Sequence, residues 1–187
     1  NTISKKQQTP SLKNAEHAKD IDKMGTVDKV LTAGDVVLLQ ITKEPISTKG
    51  PRISTQISLT GRFLVLIPFD NKISISKKVS DGAEKERLKT LIESIRPEGF
   101  GVIIRTVAEG KKVAELHNDM NQLVKKWETT FKNIQKNKVP SKILSEEDKA
   151  SSILRDNFNQ DFVSIIKKKK KMVEDMKAYI EVIAPER

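Results

Sequence analysis

Cysteine is absent from the 187-residue chain. Its absence excludes disulfide frameworks, thiolate metal sites and thiol nucleophiles at once, and makes a cytoplasmic location the expectation. Long apolar runs are missing too. No stretch approaches the roughly 18 apolar residues that a membrane span needs, and Asn1-Thr2-Ile3-Ser4-Lys5-Lys6 offers no apolar signal-peptide core. No membrane partner is therefore expected. A first residue of Asn instead of Met is read as the mark of a piece of a longer protein. Histidine is scarce: His17 lies in a polar arm and His117 off the apolar stripe of a helix, with no carboxylate cluster at ligand spacing near either. Both are read as solvated surface residues, and no metal site is expected. No Gly-x-Ser-x-Gly elbow and no paired carboxylates stand out, so no catalytic residue is assigned.

Positive charge is what the chain has in excess. Thirty-five Lys and Arg against 25 Asp and Glu give a net charge of +10, which favours a polyanionic partner. With 32% of residues charged, many of those lysines simply keep surfaces wet, so charge alone does not decide for nucleic acid. A hydrophobic content of 36% is lean and points to one or two modest globular units.

Residues 1–25 read as a flexible basic arm without either hydrophobic period. A short helical turn over Thr26–Leu31, closed by Gly34, should precede a strand over Val36–Ile41. That strand should pair through a basic loop with a second over Ile53–Ser58, making a long hairpin. Phe63–Ile67 is a buried-strand run ended by Pro68, with Ile73–Ile75 as its expected partner. Leu88, Leu91, Ile92 and Ile95 carry helical spacing over Glu84–Arg96. Phe100–Ile104 is a third strand. The longest helix should run from Lys111 to Ile134, along the stripe Val113, Leu116, Met120, Leu123, Val124, Trp127, Phe131 and Ile134. Beyond Pro140 the pattern gives a helix capped by Ser145 and ending near Phe158, then a strand over Asp161–Ile166. A charged turn over Lys167–Lys171 and a last helix over Val173–Ile183 complete the chain.

Three features bear on chemistry. Trp127 has the ring to stack on a base, but its place in the apolar stripe makes it core. Lys167–Lys171 is either a phosphate contact or a solvated turn, and the pattern leaves both open. Arg105 and Thr106 end a strand, where a guanidinium fork and a hydroxyl are well placed for phosphate oxygens, although an arginine merely leaving the sheet has the same pattern.

Longer matches narrow the choice. Lys43-Glu44-Pro45-Ile46-Ser47-Thr48-Lys49-Gly50-Pro51-Arg52, then Ile57-Ser58-Leu59-Thr60-Gly61-Arg62-Phe63-Leu64-Val65-Leu66-Ile67-Pro68, resemble the ribonuclease E/G family. So do Glu93-Ser94-Ile95-Arg96-Pro97, Gly101-Val102-Ile103-Ile104-Arg105-Thr106-Val107-Ala108-Glu109-Gly110-Lys111 and Leu123-Val124-Lys125-Lys126-Trp127-Glu128, in the same order. The resemblance runs from about Val27 to Glu186 and is strongest from Val36 to Glu128. It implies an α+β chain: a partial OB-type hairpin for RNA binding over 26–60, a small α/β 5′-sensor domain over 61–140 and the start of an RNase H-like segment over 141–187.

The resemblance also implies roles. A 5′-monophosphate would be held by Arg105 and Thr106 side chains and by backbone near Gly61 and Val65. Lys49 would contact RNA, and Arg52 and Lys43 are added to it on charge grounds. The expected function is RNA binding and 5′-monophosphate sensing within a single-strand-specific endoribonuclease of RNA processing and decay. The alternative is a stand-alone RNA-binding adaptor without nuclease activity. Catalysis in the family depends on magnesium held by acidic residues further along. This chain is therefore expected to carry no catalytic residue and no cofactor, to be inactive alone, and to rely on other regions of its parent for homo-oligomerisation.

Overall fold

The computed structural model describes residues 24–29, 31–145, 149–157, 164, 166 and 170–183. The chain is α+β and divides into two units, Asn1–Ser141 and Lys142–Arg187. In the first, a single 3-10 turn at Val27–Lys29 leads past Gly34, whose φ of 101° is one that side chains resist, into a two-stranded antiparallel hairpin. Gln40–Lys43 (β1) pairs with Arg52–Ser54 (β2), with a register shift between Ile41 and Lys43. Both strands are shorter than their β-branched composition predicts. The register runs out where Gln40 meets Ser54, leaving Val36, Val37 and Leu39 outside any ladder and exposed. After Ser54 its own hydroxyl takes the Gln56 N–H at 3.1 Å and bends the chain, so Ile57 and Ser58 leave the hairpin.

A side chain replaces the missing ladder. The Gln40 carboxamide accepts the Ser58 N–H at 2.7 Å and donates to the Ser58 carbonyl at 3.1 Å, tying the hairpin to the start of the main sheet. That sheet contains Leu59–Thr60 (β3), Leu64–Pro68 (β4), Ile73–Ile75 (β5) and Phe100–Ile104 (β6) in the order β3-β4-β6-β5. The expected pairing of Ile73–Ile75 with the Phe63–Ile67 run is incorrect. β6 lies between them, antiparallel to β4 and parallel to β5. The reason is the crossover: parallel neighbours need a long connection, and Gly82–Ile95 (α1) supplies it.

α1 begins where Asp81 accepts the Ala83 N–H at 2.9 Å, and it stops at Arg96 because Pro97 disfavours a helical residue before it. Val113–Lys136 (α2) is the amphipathic helix its spacing predicts. Leu88 and Ile92 of α1 and Leu116, Met120, Leu123 and Trp127 of α2 share one core with Leu59, Leu64, Leu66, Phe100, Val102 and Ile104 of the sheet. Trp127 is core, as its place in the stripe predicts: it is buried and meets Phe69 edge to face with centroids 5.7 Å apart. On the other face the row Thr60, Val65, Ile103 and Ser74, direct cross-strand partners, is half-buried at Thr60 and Val65 and exposed at Ile103 and Ser74.

One ionic clamp joins α1 to the turn before α2. Glu84 takes Arg87 Nε at 2.6 Å and the Gly110 N–H at 2.9 Å, while Arg87 reaches the Lys111 carbonyl at 3.2 Å. Hydrogen bonds, first from Arg87 and then from Gly110, hold the Glu84 carboxyl down to about 2 from its ordinary 4.5. A depressed carboxyl stabilises the fold above its unfolded value and loses that contribution as pH falls toward the folded one. Glu84→Gln is therefore expected to lower stability at neutral pH by about 1 kcal/mol, a figure discounted for the solvent around the exposed Arg87. The gap to the unchanged protein should close between pH 4.5 and about 2 in urea titrations at each pH, and a gap constant across that window would refute the clamp.

In the second unit Lys149–Asn157 (α3) and Lys170–Ile183 (α4) pack through Ala150, Leu154 and Met176, with Tyr179 and Ile180 alongside. The cap at Ser145 leads into residues outside those described, as do Phe158 and most of the strand expected over Asp161–Ile166. Ser164 and Ile166, which are described, have no regular secondary structure. Of the expected charged turn, Lys170 and Lys171 belong to the first turn of α4, and the other three lysines lie outside the described residues.

Candidate functional site

The parallel strands β5 and β6 end level with each other, and the segments leaving them meet. Ser76 donates its N–H to the Ile104 carbonyl at 2.9 Å, and Arg105 donates its N–H to the Phe63 carbonyl at 2.9 Å. Three chain segments, 61–64, 76–79 and 105–108, thus converge at one end of the sheet. Arg105 is extended and opens a 3-10 turn at Thr106–Ala108. Its Nη1 donates to the carbonyls of Gly61 at 2.8 Å and Arg62 at 3.0 Å, which fixes the plane of the guanidinium. Thr106 Oγ1 lies 2.9 Å from Ser76 Oγ.

The segment after Gly61 is held from below by a residue that pattern reading passed over. Asp119 of α2, only 7% exposed, accepts the N–H groups of Arg62 at 3.1 Å, Phe63 at 2.9 Å and Leu64 at 2.9 Å. Gly61 is small for the same reason: a Cβ there would stand 2.7 Å from both Asp119 carboxylate oxygens. Burial pushes the Asp119 carboxyl above its ordinary value, opposed by the three N–H groups and by Arg105. The available signal was an acid at stripe spacing, three residues after Leu116 and four before Leu123, where an exposed-face residue does not fall.

Gly61, Arg105 and Thr106 therefore come together. Val65, half-buried, is the cross-strand partner of Ile103, two residues before Arg105. Two more cations flank the site: Arg62 and Lys111 sit 5.2 Å and 5.6 Å from the centroid of the buried Phe63 ring. Lys43, Lys49 and Arg52 form a separate group on the hairpin. Lys43 is the cross-strand partner of Arg52, Lys49 closes the tip through mutual backbone bonds with Ile46, and all three are exposed. His117 is exposed and lies 3.4 Å from the Asn121 amide, in keeping with a surface residue. His17 lies outside the described residues. Among the described residues no three of His, Cys, Asp and Glu gather as a metal-binding group.

Residues 58–187 match the sequence model of the Ribonuclease E/G family. The chain is 32% identical over 155 residues to Ribonuclease E of Nostoc sp., covering 83% of this chain and 23% of that protein. It is 31% identical over 164 residues to Ribonuclease G of Haemophilus influenzae, covering 88% and 33%. Ribonuclease G of Escherichia coli matches at 32% over 130 residues, covering 70% and 27%. The chain thus spans between 23% and 33% of the length of these three relatives. A family match across both units, with relatives that align over most of its length, means that the chain belongs to the ribonuclease E/G family.

Proposed function

We propose that this chain selects substrates for a single-strand-specific endoribonuclease of RNA processing and decay. Lys49, with Arg52 and Lys43, holds single-stranded backbone, and the pocket of Arg105, Thr106, Gly61 and Val65 tests the 5′ end for a monophosphate. The observation that carries the reading is the meeting of a planar guanidinium, a threonine hydroxyl and the Gly61 loop at one end of a parallel strand pair. A monophosphate is a compact dianion that such a pocket suits, whereas a triphosphate brings bulk and charge that it excludes. Cutting is assigned to magnesium-dependent acidic residues elsewhere in the parent enzyme, which acts in the cytoplasm and assembles as a homo-oligomer through other regions.

The test is a titration of two single-stranded RNAs, alike except for a 5′-phosphate or a 5′-hydroxyl, at fixed salt. The phosphorylated RNA should bind more tightly, and equal affinities would defeat the pocket reading. The hairpin is tested by the salt dependence of the same titration. Lys49→Ala should reduce the slope of log affinity on log salt by about one phosphate contact, and an unchanged slope would remove Lys49 from the interface.

A further inference from the structure

Ser76 lies outside the segments that carry the resemblance to the ribonuclease E/G family. Yet its hydroxyl is 2.9 Å from that of Thr106, across thirty residues of sequence. Its backbone is pinned on both sides: the N–H goes to the Ile104 carbonyl at 2.9 Å, and the carbonyl takes the Val79 N–H at 3.1 Å, with Val79 fully buried. The Lys78 N–H approaches Ser76 Oγ at 3.4 Å, so a donor already faces that oxygen. With that N–H facing its oxygen, Ser76 is left to direct its own proton towards Thr106. A threonine hydroxyl rotates to suit its surroundings and carries one proton and two lone pairs. If Thr106 spends its proton on Ser76, it presents an acceptor to the pocket and repels an anion.

We infer that Ser76 is a positioning residue for the pocket, donating its proton to Thr106 Oγ1 so that Thr106 aims its own at a 5′-phosphate oxygen. The inference rests on the phosphate-pocket reading above. Such a chain of hydroxyls strengthens along its length, because each donor polarises the next. It also fixes the hydroxyl rotor of Thr106 before the ligand arrives, which lowers the ordering that binding must supply. Ser76 acts only through Thr106, and this sets it apart from a residue that touches phosphate or merely supports the fold.

The experiment is a double-mutant cycle on the affinity ratio of 5′-phosphate to 5′-hydroxyl RNA, a quantity that cancels any change common to both. Ser76→Ala should lower the ratio about fivefold, the effect of one neutral hydrogen bond. In a Thr106→Val background, which keeps the β-branched shape without the hydroxyl, Ser76→Ala should lower it no further. Ser76→Thr, which keeps a hydroxyl, should restore most of the ratio. A merely structural serine would change the two affinities together and leave the ratio alone.

The failures separate cleanly. If the unchanged protein shows no phosphate preference, the pocket reading falls and this inference with it. If Arg105→Ala collapses the ratio while Ser76→Ala leaves it intact, the pocket stands and Ser76 is excluded. If the losses from Ser76→Ala and Thr106→Val add, Ser76 meets the anion itself and the relay is wrong.

Discussion

Asp119→Ala is expected to destabilise the first unit by about 3 to 5 kcal/mol, the scale for removing one partner of a buried charged network. Three N–H groups lose their acceptor together, and those of Phe63 and Leu64 belong to buried residues. Asp119→Asn should recover part of the loss, because one carboxamide oxygen can replace the carboxylate oxygen shared by Phe63 and Leu64. The amide nitrogen would then face the Arg62 N–H, donor against donor. Trp127 makes the measurement direct: it is the only tryptophan, is buried in the same core as Phe63 and Leu64, and reports unfolding of the first unit by fluorescence in urea. A loss below about 0.5 kcal/mol, the level of an ordinary surface substitution, would mean that the Gly61 loop is held by something else.

The other large effect is on recognition. Arg105→Ala should erase most of the advantage of a 5′-phosphorylated RNA over its 5′-hydroxyl twin, an advantage of about 1 to 3 kcal/mol for charged hydrogen bonds. Arg105→Lys should rescue only part of it. An ammonium keeps the charge but loses the planar fork, and it no longer matches the two carbonyls of Gly61 and Arg62 that orient the guanidinium. Thr106→Ala should have a smaller effect than either, since one neutral donor is removed. The quantity to compare is the phosphate-dependent difference. Equal losses on both RNAs would make Arg105 a general backbone contact or a folding residue.

Period and run length made much of the scaffold legible. Phe100–Ile104 is a strand at the expected residues because an apolar run bounded by Gly99 and Arg105 has one length and two clear ends. The helix over Val113–Lys136 comes from its stripe. The partner of Ile73–Ile75 was not legible, because neighbours in sequence look like neighbours in space until a helical crossover intervenes. Nor was the retreat of Val36, Val37 and Leu39 from the hairpin, since β-branched composition says nothing about whether a facing strand exists. At the site, spacing alone left Arg105 and Thr106 ambiguous, and the phosphate-binding role proposed for them entered through resemblance. Asp119 was hidden as one acid in a hydrophobic stripe. Ser76 was hidden because a contact between two strand ends leaves no trace in either strand's own pattern.

The Asp119 carboxylate reaches across 55 to 57 positions of chain to hold the Gly61 loop. Such a contact depends on tertiary packing: α2 must lie on the sheet before the loop has its acceptor. The amide protons of Phe63 and Leu64 are therefore expected to exchange with the opening of the core instead of with the fraying of a turn. A loop held in this way is present in the folded population and missing from any partly opened one. A ligand that needs it adds its binding free energy to the cooperativity of the entire first unit.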